Sequence, residues 1–370
     1  MRISRRLFIV AASLGVASAI GYIVVQRSTR VAEVEGVKVE EVATNLAIPW
    51  SISFISPDEA LLTERGGTVR LLDLSAASHR VIGKIDVAHV GEGGLLGIDT
   101  RGSGPTIYTY YTARRDGGLV NRVVLWDGLE LRDGQVLLDN IPASSIHNGG
   151  RIRLGPDGKL YITTGDAAAP ENSQSLQSLA GKILRLNPDG SIPPDNPYTD
   201  SPIYSLGHRN PQGIDWHPVT LQLYSTEHGP SGEMGLTGHD EVNIILPGAN
   251  YGWPRVIGAP SKPEFVDPIY HSGATTWAPS GCSFVRGAPF EDWANNLLFA
   301  ALRGEHLHRV VLDTSGGKVV ASERLFQGVY GRLRDVVQGP DGYVYLLTSN
   351  RDGRGVPRQG DDKVLRLTPI

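Results

Sequence analysis

The chain has 370 residues and a formal net charge of −4, from 35 Lys and Arg against 39 Asp and Glu. That length gives one large or two medium domains with an ample core, and the weak negative balance excludes the basic surface of a nucleic-acid-binding protein. Its 45 glycines and 24 prolines suit strands and turns rather than a helical bundle, and its single cysteine, Cys282, excludes an internal disulfide and a zinc-type cysteine cluster.

The first element is apolar. Ser4-Arg5-Arg6-Leu7-Phe8 opens a run from Leu7 to Val25 that ends in Gln26-Arg27. Paired arginines before such a run are the pattern of a twin-arginine export signal, and roughly 19 apolar residues can also span a bilayer as a helix. Ala17-Ser18-Ala19 fits a cleavage site, yet the apolar stretch continues past it. Residues 1–30 are therefore expected to be a hydrophobic leader helix, either cleaved or kept as a membrane tether. Residues 34–370 are expected to work as an exported domain on the periplasmic or extracellular side, soluble if the leader is removed.

Beyond residue 35 no segment keeps a 3.6-residue apolar period. Short β-rich runs alternate with turn signals. One unit recurs: Pro57-Asp58 before Leu61-Leu62-Thr63-Glu64, Pro156-Asp157-Gly158 before Leu160 to Asp166, a looser copy from His217 to Glu227, and Pro340-Asp341-Gly342 before Val344 to Asn350. Each is a tight turn feeding an apolar strand with a polar end. Partner strands follow at Val69–Leu72, Ile183–Leu186 and Val364–Leu367. These are parts of a propeller blade. About 335 residues at roughly 50 to 60 per blade predict an all-β, six-bladed β-propeller in one domain, although seven smaller blades also fit the arithmetic. Its polar strand ends, Asp166, Glu227-His228 and Asn350, are expected on one face.

The densest polar stretch runs from Ser205 to Pro254. His208-Arg209-Asn210-Pro211-Gln212 and Glu227-His228-Gly229-Pro230 flank the strand-like Gln222 to Thr226. The two clusters are loops at its two ends or loops folded back to one face. Elsewhere, His147-Asn148-Gly149-Gly150 places a proton acceptor on a tight, open backbone, and Asp166 could hold its imidazole in one tautomer. Arg209, Arg303, Arg332 and Arg334 are expected in loops that could converge on a planar polyanion. Gly229-Pro230 could offer carbonyls, and Glu241 and Tyr251 a carboxylate and main chain, to a hard cation such as calcium. No nucleophile elbow, dinucleotide fingerprint or phosphate loop is present.

Leu206-Gly207-His208-Arg209-Asn210-Pro211-Gln212-Gly213, Glu227-His228-Gly229-Pro230, Asp240-Glu241-Val242-Asn243 and Gly248 to Pro254 together resemble the soluble pyrroloquinoline quinone (PQQ)-dependent glucose/sorbosone dehydrogenases, in particular their aldose sugar dehydrogenase branch. Supporting stretches are Pro49-Trp50-Ser51-Ile52, Gly91 to Gly97, Leu179 to Leu186 and Ala278 to Gly281, so the similarity runs from Ile48 to Leu367. The resemblance implies a six-bladed propeller with PQQ on its axial face and calcium (Ca2+) beside the quinone. It makes His147 the base, Asp166 its orienting carboxylate and Arg209 the group against the reacting quinone oxygen. Asn210, Gln212, Arg332 and Arg334 become cofactor contacts. Gly229 and Pro230 become main-chain ligands of a catalytic calcium, and Glu241 and Tyr251 belong to a second, structural one.

This chain departs from the family pattern in three places. Glu92 stands where Gln is frequent, and its carboxylate is expected to reach the sugar. A cofactor-contacting Lys has no counterpart, with Arg303 as the substitute. His228 stands where the best-known branch has Gln. The implied reaction oxidises an aldose at its anomeric carbon to the lactone, with electrons passing to an external quinone or redox protein. The alternatives are an exported calcium-dependent hydrolase of the lactonase type and a non-catalytic sugar- or protein-binding propeller.

Overall fold

The computed structural model describes residues 36–370 apart from 102–105, 233, 234 and 261. The expected leader lies outside the described residues. The described residues form one compact unit, built from six four-stranded antiparallel sheets. This is the six-bladed propeller that the recurring turn-strand unit predicts. Its innermost strands are Pro49–Phe54, Leu95–Arg101, Ile152–Leu154, Pro211–Trp216, Pro279–Phe284 and Leu333–Gln338, and successive ones pack against each other around the axis. Five blades are built from consecutive strands. The sixth takes its outermost strand, Val37–Ala43, from the start of the domain and pairs it with Val364–Pro369, from Val37 opposite Pro369 to Ala43 opposite Val364. That pairing closes the ring and removes two sheet edges.

The recurring unit is the turn into the second strand of a blade. Asp157 accepts a hydrogen bond from the Tyr161 hydroxyl (3.0 Å), and Asp341 accepts one from Tyr345 (2.6 Å). The turn carboxylate thus fastens the strand it feeds, and both tyrosine rings are buried. The second and fifth blades lack this turn, so their second strands, Thr106–Arg115 and Leu297–Ala301, carry no such signal. Apolar side chains of adjacent blades form the core clusters, such as Trp50, Leu96, Ile152 and Ile162.

Five innermost strands are bulged near their first residues, between Pro49 and Ser51, Leu95 and Ile98, Pro211 and Gly213, Pro279 and Cys282, and Leu333 and Asp335. A bulge leaves a residue out of the ladder and re-aims its side chain. Here it turns Trp50, Gln212, Ser280 and Arg334 toward one end of the axis.

Candidate functional site

Two kinds of loop open at that end: those entering an innermost strand and those joining the second strand of a blade to its third. Pro211 pairs with Glu227, so the two polar clusters around 208–212 and 227–230 fold back to one face of the fourth blade. The loops surround a cleft of about 580 Å³ lined by Glu92, His147, Arg209, His228, Arg303 and Arg332, among others. That volume lies within the range of about 300–1,000 Å³ usual for small-molecule sites.

His147 sits on the cleft wall in a left-handed backbone conformation, φ 57°. Its main-chain N–H donates to Glu92 Oε2 (3.0 Å). Gly149 must be glycine, since φ is +62° and a Cβ would lie 2.6 Å from the Thr163 carbonyl oxygen. The imidazole Nδ1 is 2.8 Å from Asp166 Oδ1. A carboxylate there selects the Nδ1–H tautomer and leaves the basic lone pair on Nε2. Asp166 is itself held by the Ala168 N–H on Oδ1 (2.9 Å) and the Trp253 indole N–H on Oδ2 (2.9 Å). His147 and Asp166 thus pair within the third blade, and the Trp253 indole ties the pair to the fourth.

The cationic groups converge, with one correction. Arg334 was expected in a loop, yet it lies in the strand Leu333–Gln338, where the bulge frees its side chain to point along the axis. Its guanidinium donates to Gln212 Oε1 (2.8 Å) and lies 5.7 Å from the Trp50 ring centre. Burial lowers its pKa to about 9. Arg332, at the mouth of the same strand, donates from Nε and Nη2 to Asp352 Oδ2 (3.0 and 2.8 Å). Arg209 is buried over Trp253, 5.5 Å from its ring centre, and its main-chain N–H donates to Glu227. Arg303 is exposed at the rim. Asn210 Oδ1 accepts from the Gly149 N–H (2.9 Å), locking the two entry loops together.

Glu92 is an ionised carboxylate. Burial acts to raise its pKa, but Arg354, His228 and the His147 N–H outweigh that and bring it to about 2. Its Oε1 accepts from Arg354 (2.6 Å). Arg354, Asp352 and Trp253 were not singled out in the sequence. Asp352-Gly353-Arg354 follows the polar end of a recurring unit, a signal that could have placed them on this face.

His208 and His228 divide between structure and site. His208 is fully buried, with Nδ1 on Glu227 (2.8 Å), Nε2 against the Ser205 hydroxyl (2.8 Å) and its ring stacked on Tyr251. His228 lines the cleft, and burial depresses its pKa to about 3, so the ring is neutral.

Behind it, Glu227, Gly229, Pro230, Glu241 and Tyr251 line one small cavity of about 20 Å³, enough for a single ion or water. Burial and the neighbouring Glu227 push the Glu241 carboxyl up to about 8. Asp240 fixes the loop by accepting from the Gly229 N–H (2.9 Å). Among the described residues no three His, Cys, Asp or Glu side chains are grouped to hold a metal, so any cation here depends on main-chain carbonyls.

Comparison with known proteins agrees with this geometry. The glucose/sorbosone dehydrogenase family model matches residues 46–358. The Escherichia coli aldose sugar dehydrogenase YliI is 32% identical over 86% of this chain and 91% of its own. Quinoprotein glucose dehydrogenase B of Acinetobacter calcoaceticus is 31% identical over 67% of this chain and 59% of its own. The PQQ-bound aldose sugar dehydrogenase of Streptomyces coelicolor superposes with a TM-score of 0.78 at 35% identity, over 90% of this chain and 98% of that one. The chain belongs to the glucose/sorbosone dehydrogenase family and is an oxidoreductase of it.

Proposed function

We propose that the protein oxidises aldose sugars at the anomeric carbon to the lactone, with PQQ and calcium, and delivers the electrons to an external quinone or redox protein. The observation that carries this reading is the His147–Asp166 pair on the wall of an arginine-lined cleft. The residues fit an anionic planar cofactor. His228 Nε2, Asn210 Nδ2 and Arg334 Nε are buried polar atoms without a hydrogen-bond partner, an arrangement that costs free energy unless a ligand completes it.

PQQ, when bound, would supply a quinone able to accept a hydride equivalent. His147 Nε2 takes the proton of the anomeric hydroxyl, and Asp166 holds the resulting imidazolium. Arg209 would face the quinone oxygen, and Arg332 and Arg334, with Asn210, Gln212 and Arg303, would hold the cofactor's carboxylates. The Gly229 and Pro230 carbonyls would hold calcium; Glu241 and Tyr251, expected from sequence at a second ion, line the same cavity, which has room for one. Burial beside Glu227 makes an ionised Glu241 costly unless a proton or a cation neutralises it. Glu92, ionised and facing the cleft, accepts sugar hydroxyls. The arginine content favours this reading over a lactonase-type hydrolase, which needs a carboxylate-rich axis.

The test is reconstitution of the purified protein with PQQ and Ca2+, followed by dye reduction with glucose and other aldoses. Activity that needs both additions, with lactone as product, is expected. Absence of PQQ binding would overturn the reading. We also propose that residues 1–30 direct export. Replacing Arg5 and Arg6 with Lys should trap the protein in the cytoplasm, and unchanged fractionation would remove the twin-arginine assignment.

A further inference from the structure

Trp253 does not itself line the cleft, yet two of the reacting groups rest on it. Its buried indole N–H donates to Asp166 Oδ2 at 2.9 Å, while Asp166 Oδ1 faces His147 Nδ1 at 2.8 Å. The same indole lies under the Arg209 guanidinium at 5.5 Å. We propose that Trp253 is a positioning residue that sets Asp166 and Arg209 together, so that the base and the cation keep a fixed mutual geometry.

The ring is placed firmly enough to do this. The Trp253 N–H donates to the Gly207 carbonyl (2.9 Å), and the Trp253 carbonyl accepts from Gln174 Nε2 (2.7 Å). Gln174 and Asn250 exchange amide hydrogen bonds of 3.0 and 2.8 Å. This fastening needs close backbone approach at Gly207, where φ is +82° and a Cβ would lie 2.1 Å from Asn250 Oδ1. The loop carrying Trp253 is thus tied to the loop carrying Asp166 and to the entry of the strand behind Arg209.

The consequence for His147 has a definite sign. A donor on Oδ2 draws negative charge from the oxygen that faces the imidazole. Removing it concentrates charge on Oδ1 and raises the proton affinity of His147. Among the described residues, the other charged or titratable groups about His147 include Glu92, His228, Arg209 and Arg354, and none of these is altered when the indole N–H alone is removed.

The inference rests on the proposed role of His147 as base, and the experiment separates the two. Trp253 is replaced by β-(3-benzothienyl)alanine, which keeps the ring and puts sulfur in place of N–H, and in parallel by Phe. In the cofactor-free protein, 15N titration of His147 should show its pKa raised by about half a unit to one unit. In the reconstituted enzyme the acid limb of kcat/KM should move up in step, with kcat at neutral pH down about tenfold and KM little changed. PQQ affinity should survive the isostere and fall in Trp253→Leu, which removes the face beneath Arg209. An isostere with an unmoved His147 titration and acid limb would overturn the proposal. Retained turnover in His147→Ala would instead overturn the base assignment, leaving the titration result to judge Trp253 alone.

Discussion

Where the innermost strands end, the half-buried carboxylates of Asp99 and Asp215 find their partners within the protein. Asp99 accepts from the Leu154 N–H (2.6 Å) and the Ser53 hydroxyl (3.1 Å), and Asp215 accepts from the Phe284 N–H and Arg286 (2.6 Å each). Each carboxylate latches its blade to the next, and Asp335 does the same nearer the middle through Ile52 and Arg151. Where the same strands begin, His228 Nε2, Asn210 Nδ2 and Arg334 Nε stay buried without partners. The two ends share strands and chain direction. They differ in what completes them. One end closes on its own backbone, and the other is complete only with a ligand. Stability and binding should therefore separate along the axis.

Three substitutions sharpen or break that separation. The largest effect is expected for His147→Ala, which should cut turnover by about 10²–10⁴-fold while PQQ still titrates to one equivalent by absorbance. Turnover within a few-fold of wild type would take His147 out of the reaction. Next, Arg334→Met should weaken PQQ by at least about tenfold, because it removes a forked carboxylate donor, yet leave the melting temperature of the cofactor-free protein unchanged or raised. Removing a cation whose burial already lowers its pKa relieves a desolvation cost that offsets the lost hydrogen bond to Gln212. At the other end, Asp215→Ala should lower unfolding free energy by about 1–3 kcal/mol, the penalty of orphaning the buried Phe284 N–H. Its kcat and PQQ affinity should not move. A large loss of PQQ binding in Asp215→Ala would mean that the two ends are coupled.

The fold was readable because its information is local and repeated. A Pro-Asp turn, an apolar strand and a polar end say where a blade's second strand lies, and Asp157–Tyr161 and Asp341–Tyr345 show why that unit recurs. The blades without such a turn could be counted only from chain length. His147 and Asp166 were readable as residue types on a tight loop and a strand end. The floor of the site was not readable from residue pattern alone, and only the family resemblance named Gln212 and Arg334. Trp50, Gln212, Ser280 and Arg334 meet through bulges in four different blades, and no periodicity in a single strand announces a bulge. Asp352 and Arg354 were hidden for another reason. Their significance is as counterions to Arg332 and Glu92, far away in sequence.

One buried atom tests the rule from outside the axis. His308 Nε2 is also without a partner, but it lies in the fifth blade, where the ring stacks on Phe299 (4.5 Å) and packs on Trp277 (4.9 Å). No ligand is in reach to complete it, so the group should simply cost stability. Burial depresses the pKa of His308 to about 3 and that of its neighbour His306 to about 4. The sign follows from linkage. Below about 6.5 the unfolded chain takes up protons that the folded rings refuse, so stability present above that pH is lost as pH falls toward the folded values. His308→Phe removes the orphaned nitrogen and one refused proton, while costing His306 its ring partner at 3.0 Å. The expected net result is small: a melting temperature near wild type at pH 8 and a few degrees above it at pH 5, with PQQ binding untouched. A variant that melts lower at both pH values would show that the His306–His308 pair is a stabilising link in its blade, and that an orphaned buried atom can be tolerated without any ligand to complete it.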